Sequence, residues 1–569
     1  MSLQQQLEKH IADWATAAGF ASLGTSWVKA CQDERFGHFQ SNIAMVAGKS
    51  LKKNPRELAV SLVQTLAACD DIEPPEIAGP GFVNIRFRSA SIARALQGLA
   101  RDPRLGIPAA DKPRTILVDF SSPNVAKEMH VGHIRSTVLG DTIARIYSSL
   151  NHHVIRDNHL GDWGTQFGKL ILGYKMAGRP ELTVENALAE MERLYQDTHQ
   201  ASTRDPALLE QARQELLKLQ QGDPENTALW NRFRELSQQS FERIYQRLGT
   251  HFDHTLAESF YNPWLDGVVE ELLARGIARL SEGASVIFFD DNEELKEHPF
   301  LIRKSDGASL YATTDLATLR YRTEHFHTDS VIYVTDGRQQ LHFKQLFASA
   351  SLWGVSCQLE HVWFGAILGK DGKPLKTRDG NPIKLRDLLD EAEVRAAKIL
   401  REKRPDLSDE KMALMAPVIG IGALKYADQA QNRNLDYVFD WDRLLAFDGN
   451  TAPYLLNAYV RTRSILRKAD QTVREDAFVL EHALEQDLAR KLLAFGPVVE
   501  LAAQEYRPHH ICSYLYECAA LYHRFFENCP VLKAENQTLK NSRLGLCRLT
   551  GDVLRKGLEL LGIGTLEEM

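Results

Sequence analysis

Two histidines flank a glycine in HVGH, residues 130–133. The surrounding stretch, SSPNVAKEMHVGHIRSTVLG (121–140), follows TILVDF (115–120), a β-branched run that reads as a buried strand. It leads into an apolar pattern with helical spacing. In an open parallel sheet, ligands bind beyond the C-terminal ends of the strands. A helix starting there offers unpaired backbone N–H groups and the positive end of its dipole, which suits a phosphate. Gly132 lets a base or phosphate approach the backbone without a Cβ in the way. His130 and His133 can donate hydrogen bonds to phosphate oxygens as charge builds during displacement at phosphorus. Lys127 supplies a mobile positive charge nearby. Together these residues read as a site for splitting a nucleoside triphosphate between its α and β phosphates. Two plainer readings remain. The histidines can be metal ligands, with His152, His153 and His159 close in sequence, but no HExxH, paired cysteines or carboxylate cluster completes such a site. They can also be structural residues beside a helix-start glycine.

The elements that must position these residues follow from the rest of the chain. Its 569 residues suggest two to four domains. Strand and helix patterns alternate from residue 115, with VIRDN (154–158), SVIFFD (285–290), SVIYVTD ending at Asp336, and EHVWFGAIL (360–368) as the clearest strands. Such alternation predicts a parallel sheet covered by helices. Residues 183–247 are polar and helical, an insertion in that sheet domain. Ahead of it, residues 1–110 mix helical patterns with the strand-like FVNIRFR (82–88), and RDPRLGIPAADKP (101–113) reads as a linker. After about residue 390 no strand is expected. LARKLLAFGPVVELAAQEYRP (488–508) and HICSYLYECAALYHRFFENC (510–529) carry the spacing of packed antiparallel helices.

Composition narrows the function. The net charge of −7 is concentrated between residues 111 and 450, where 41 basic residues face 50 acidic ones. That argues against a nonspecific nucleic-acid binder, allows contact with a particular RNA through local patches, and suits a cationic small substrate. No run of 18 apolar residues exists and MSLQQQLEKHIADW lacks a signal-peptide core, so neither membrane insertion nor export is expected. Seven cysteines (Cys31, Cys69, Cys357, Cys512, Cys518, Cys529 and Cys547) form no CxxC pair and predict reduced thiols in a cytoplasm.

Beyond HVGH, a resemblance spans nearly the whole chain. SSPNVAKEMHVGHIRSTVLGD (121–141) and NHLGDWGTQFGKL (158–170) resemble the signature of the arginyl-tRNA synthetases, class I aminoacyl-tRNA synthetases. It continues through LQQGDPENTALWNRFRE (219–235), ESFYNP (258–263), DGASLYATTDLA (306–317), GRQQLHFKQLF (337–347) and LGKDGKPLKTRDG (368–380). HxGH alone would fit any class I synthetase or another nucleotidyltransferase, and a non-catalytic tRNA-binding paralogue is a third possibility. SPNxAK and GDWGTQFG are more specific.

The resemblance implies an α/β fold: a Rossmann-type parallel-sheet catalytic domain (111–390) with a helical insertion at about 175–260, an N-terminal α+β domain (1–110) and a C-terminal helical-bundle domain (391–569). It implies activation of L-arginine with ATP and Mg2+ and transfer to the 3′ end of tRNA(Arg). Lys127, His130 and His133 would be catalytic, and Gly132, Lys376, Thr377 and Arg378 would join them around ATP. Ser122, Asn124, His133, Glu258, Tyr311, Asp315 and Gln339 would bind arginine. Carboxylates suit a guanidinium, which is planar, always charged and offers paired donors. One departure concerns the mobile KMSKS-type loop of class I synthetases, where the second lysine falls on about Thr377 in GKPLKTRDG. In this family Lys127 is thought to replace that charge. Phe82 and Asn84 resemble contacts to a D-loop base. Tyr454, Tyr459, Arg461 and Arg463 are candidate anticodon-arm contacts, and most aromatics of 514–526 are expected in the core. A monomer without structural metal is expected.

Overall fold

The protein is described from a computed structural model covering residues 3–20, 27–31, 34–376, 382–469 and 478–569. Its centre is a four-stranded parallel sheet, in the order Gln358–His361, Ser330–Tyr333, Thr115–Asp119, His153–Asp157. The two central strands, SVIY and TILVD, are near-continuous apolar runs because both faces are covered, while the edge strands QLEH and HVIRD are more polar and partly exposed. Successive side chains point to opposite faces, so Ile116, Val118 and Ile332 join one core, while Leu117, Val331 and Tyr333 join another. The first core receives the helix Val131–Ser149; the second receives Tyr311–His325 and Gln340–Trp353. The chain order reverses between Thr115–Asp119 and Ser330–Tyr333. The loops leaving those two strands, SSPNVAKEMHVGH and TDGRQQ, therefore flank the crevice at a topological switch point.

Between the second strand and Glu258 stand four helices, Gln166–Met176, Ala187–Arg204, Pro206–Gln220 and Pro224–Leu248. Asp205 and Asp223 cap the last two, each followed by proline at the first helical turn. The last three of the four lie within 175–260, the stretch expected to be a helical insertion.

Two strand expectations need correction. SVIFFD forms a strand, Ala284–Ile287, but it lies in a separate antiparallel sheet with Ala278–Ser281 and Phe300–Arg303. An apolar run does not reveal its partner strand, and the turn Glu282–Gly283, with φ 49° and 81°, favours a local hairpin. EHVWFGAIL splits: the sheet strand ends at His361, and Ile367–Leu368 pairs instead with Tyr437–Val438, a short strand beyond residue 390 where none was expected.

Before the parallel sheet, the helices Leu3–Ala17, Ile43–Leu51 and Pro55–Ala67 pack on an antiparallel sheet ordered Val28–Ala30, Phe39–Ser41, Phe82–Ile85, Glu76–Ala78. After it come long helices, including Asp409–Gln429, Ala452–Lys468, His509–Asn528 and Gln537–Leu560. Tyr514, Tyr522 and Phe525 are buried among them. No described helix is long and apolar enough to cross a membrane. Among the described residues, no cysteine forms a disulfide.

Candidate active site

The loop after Thr115–Asp119 is conformationally strained. Ser121, Ser122 and Ala126 have φ of 72°, 47° and 65°. Each such non-glycine residue costs on the order of 1–3 kcal/mol and persists only where its surroundings over-determine it. Here they do. Ser121 donates its amide to Ser136 Oγ at 2.8 Å, and Ser122 donates to Asn158 Oδ1 at 3.1 Å. The Ser122 hydroxyl donates to Asp119 Oδ1 at 3.0 Å, and the Ala126 amide reaches Ser237 Oγ at 3.0 Å. Asp119 is itself fixed by the buried Arg322, which lies 2.6 Å from it and 2.8 Å from Asp157.

His130 caps the helix that begins at Val131. Its Nδ1 accepts from the Gly132 amide at 3.1 Å, and the His133 Nδ1 accepts from the His130 amide at 3.0 Å. The His130 Nδ1 is thus an acceptor, so its neutral ring carries the proton on Nε2, while the His133 Nδ1 also lies 3.3 Å from the His130 carbonyl and its ring accommodates either tautomer. Burial, then Arg338 and Lys127, lower the His130 pKa; burial and the neighbouring His130 lower that of His133 to about 3. The two neutral rings stand 4.1 Å apart.

The free N–H groups expected at this helix start are taken. Val131 donates to Ile383 O at 2.8 Å, Gly132 to the His130 ring, and His133 to His130 O at 2.8 Å. What remains for a phosphate is the imidazole pair and the helix field. Gly132 has an added role, because a Cβ there would sit 2.9 Å from His130 Cε1.

The acidic residues converge separately. Glu258 opens the turn Glu258–Trp264, its amide bonded to Leu160 O at 2.9 Å. Burial pushes its carboxyl up to about 8, helped by Asp315 and then Asp162. Tyr311, on the first turn of the helix carrying Asp315, is largely exposed, and partial desolvation, then Glu258, raise its hydroxyl pKa. Asp162, from GDWG, accepts from the Ser259 amide at 2.8 Å and from Arg234 Nε at 2.7 Å, so it braces the Glu258 turn against the insertion. Asn124 lies over Gly161, where any Cβ would overlap its amide oxygen. Gln339 is exposed at the start of the helix Gln340–Trp353.

Lys127 is half-buried, with Nζ 5.9 Å from the Tyr195 ring of the insertion. Lys376 is exposed and bridges to Pro382, while Thr377 and Arg378 lie outside the described residues. Phe82 is half-buried at a strand start, and the buried Asn84 accepts from Gln40 Nε2 at 2.8 Å. Tyr454 is half-buried against Tyr516 and His523. Tyr459 is buried, its hydroxyl donating to Glu567 at 3.0 Å, and Arg463 pairs with the same carboxylate. Arg461 donates to His523 at 2.9 Å.

Some residues at the site were not singled out by the sequence, although His342 and Arg338 lie within the motif GRQQLHFKQLF. His342 binds Asp315 at 2.5 Å, one helical turn beyond the quoted glutamines, and Arg338 stands close enough to perturb His130. Ser237, Tyr245 and Ile383 approach from distant segments. Among the described residues, no group of three or more His, Cys, Asp or Glu side chains is arranged to hold a metal ion.

A parallel sheet with an HxGH turn at its switch point has the architecture of a class I tRNA synthetase. The family model described as "tRNA synthetases class I (R), catalytic domain" matches residues 96–441. "Arginyl tRNA synthetase N terminal domain" matches residues 2–87 and "DALR anticodon binding domain" matches 455–569. An arginine–tRNA ligase of Proteus mirabilis is 42% identical over 578 residues, covering 100% of both chains. The crystal structure of arginyl-tRNA synthetase from Plasmodium falciparum superposes with a TM-score of 0.85 at 28% identity, covering 100% of this chain and 99% of that one. The Thermus thermophilus arginyl-tRNA synthetase, at 24% identity, shares the fold with a TM-score of 0.84 over 100% of each chain. The chain belongs to the arginyl-tRNA synthetase family.

Proposed function

We infer that this chain is an arginine–tRNA ligase whose adenylate-forming site lies between the HVGH turn and the Glu258 pocket. An oxygen of the arginine carboxylate attacks the α-phosphorus of ATP. The bond to the β-phosphate oxygen breaks, diphosphate leaves, and arginyl-adenylate remains. The imidazoles of His130 and His133 donate to phosphoryl oxygens as their charge grows. Lys127 supplies the positive charge at the leaving diphosphate that the loop 372–380 lacks, with Lys376, Thr377 and Arg378 closing over ATP. Mg2+ enters with ATP as part of the substrate complex. Glu258 and Asp315 pair with the guanidinium, Tyr311 and Gln339 line its slot, and Ser122 and Asn124 face the amino-acid end. A terminal ribose hydroxyl of tRNA then attacks the activated carbonyl and releases AMP.

The observation that carries the arginine assignment is the Glu258 carboxyl. It stands beside two other carboxylates, is held up to about 8, and has no cationic partner among the described residues. A bound guanidinium supplies the missing cation.

We assign 1–110 to the tRNA elbow through Phe82 and Asn84, 111–390 to the chemistry, and 391–569 to the anticodon arm through Tyr454, Tyr459, Arg461 and Arg463. The enzyme acts as a cytoplasmic monomer. Docked tRNA closes the loops at 121–133 and 370–380 by population shift. This reading is supported by two ties between the HVGH helix and the C-terminal helices: Arg135 Nε pairs with Asp428 at 2.9 Å, and the Tyr147 hydroxyl donates to Ala503 O at 3.1 Å.

ATP–pyrophosphate exchange with each amino acid, with and without tRNA, tests the proposal. Exchange is expected for arginine alone, and only with cognate tRNA. Exchange with no amino acid would indicate another nucleotidyltransferase, and none under any condition a non-catalytic paralogue. Fast arginine-dependent exchange without RNA would remove the coupling but keep the ligase.

A further inference from the structure

The helix Pro224–Leu248 of the insertion meets the strained loop at two points, through Ser237 and Tyr245. The Tyr245 hydroxyl is buried, 2.9 Å from Ser121 Oγ and 3.1 Å from Asn158 Nδ2. Ser121 Oγ lies 2.9 Å from Thr137 Oγ1, which lies 2.8 Å from His133 O. The amide NH2 of Asn158 can only donate, and the carbonyl of His133 can only accept. The Thr137 hydroxyl is placed to donate both to that carbonyl and to Ser121 Oγ, and Ser121 and Tyr245 share one further hydroxyl hydrogen bond. The contacts run without a break from Asn158 through Tyr245, Ser121 and Thr137 to His133, and buried hydrogen bonds joined in this way reinforce one another. The same Asn158 amide holds Ser122 through its oxygen, so Tyr245 also fixes which way that amide faces.

We propose that Tyr245 is a positioning residue for adenylate formation. Its single hydroxyl joins the left-handed segment that carries Asn124 and Lys127 to the turn that carries His133, making them one unit. It touches neither substrate. The inference rests on the reading of this crevice as the adenylate site, and it gives the insertion a task there: its last helix sets the loop that must meet ATP and arginine.

Tyr245→Phe keeps the ring and removes the hydroxyl. With tRNA present, kcat for pyrophosphate exchange should fall about tenfold to a hundredfold, the scale of a small misplacement of reacting groups. Thr137→Val cuts the same chain at its other end and should act likewise. The double variant should be no slower than the slower single one, because both break one chain. Hydrogen–deuterium exchange over residues 121–133 should quicken in each variant and stay unchanged in the helix His509–Asn528. A kcat within threefold of the parent, losses that multiply in the double variant, or unchanged exchange over 121–133 would each overturn the proposal. Exchange kinetics in the loop need no catalysis, so they report on the chain even if the parent protein fails the amino-acid test. If Tyr245→Phe does not fold, Thr137→Val alone decides by the same two measurements.

Discussion

Val131 donates its amide hydrogen to the carbonyl of Ile383 at 2.8 Å, and two residues on, Leu385 donates to Met129 at 2.8 Å. The HVGH turn and the segment leaving the loop 370–380 are therefore clasped, although some 250 residues separate them. Lys384, between the clasp bonds, forms an ion pair with Glu128. The described segment from residue 382 onward is thus fixed to the turn that carries the two histidines.

Lys127 lies two residues before the clasped Met129, and its charge already lowers the His130 pKa. Lys127→Ala should reduce kcat for activation by about 30- to 1000-fold, roughly 2–4 kcal/mol of transition-state stabilisation, with the arginine KM changed less than threefold. Steady-state exchange kinetics check this. A loss below threefold would assign the charge elsewhere.

Arginine binding should release a proton. Free Glu258, with its pKa raised to about 8, is largely protonated at pH 7; a guanidinium favours the ionised form and expels the proton. Affinity should therefore rise with pH up to about 8 and then level off. Calorimetry at pH 7 in buffers of different ionisation enthalpy measures the proton. Glu258→Gln should abolish the release and weaken binding by about 1–3 kcal/mol, leaving ATP affinity unchanged. The sign for folding is opposite. A carboxyl raised in the folded state makes the ligand-free protein lose stability as pH climbs from the ordinary glutamate range to about 8, and the Gln variant should lack that component.

Gly161→Ala should disturb arginine recognition through Asn124, whose amide oxygen occupies the space of the new methyl group. Loss of one hydrogen bond to a charged group costs about 1.5–3 kcal/mol, so KM for arginine should rise roughly 10- to 100-fold. An unchanged KM would detach Asn124 from the amino acid.

Arg322→Leu leaves Asp119 and Asp157 as uncompensated charges under the strained loop. Breaking a buried pair from one side costs about 3–5 kcal/mol. The urea midpoint should drop accordingly, and adding Asp157→Asn should restore part of it. No recovery would mean the loss comes from the Arg322 packing and not from charge.

The sequence stated local matters well and distant ones poorly. HVGH was legible because strand, loop and helix are consecutive, and Glu258 and Asp315 were legible through motifs that travel together. The occupation of the helix amides was not, since Ile383 arrives from the far side of a domain. Neither was Tyr245, an aromatic residue on a helix face that reads as ordinary core. SVIFFD looked like a sheet strand because hydrophobicity marks a strand and leaves its neighbour unnamed. The raised Glu258 pKa rests first on burial, then on Asp315 and on Asp162, 96 residues upstream, being folded beside it.

Locking both imidazoles neutral separates chemistry from recognition along the acidity axis. Burial lowers the His133 pKa to about 3, so its ring stays neutral through mild acidification. The proposed amino-acid slot is not indifferent, for burial pushes Glu258 up to about 8. On that proposal, mild acidification would leave a synthetase that is intact but starved: slow at ordinary arginine levels, and returned to full speed by more arginine without any repair.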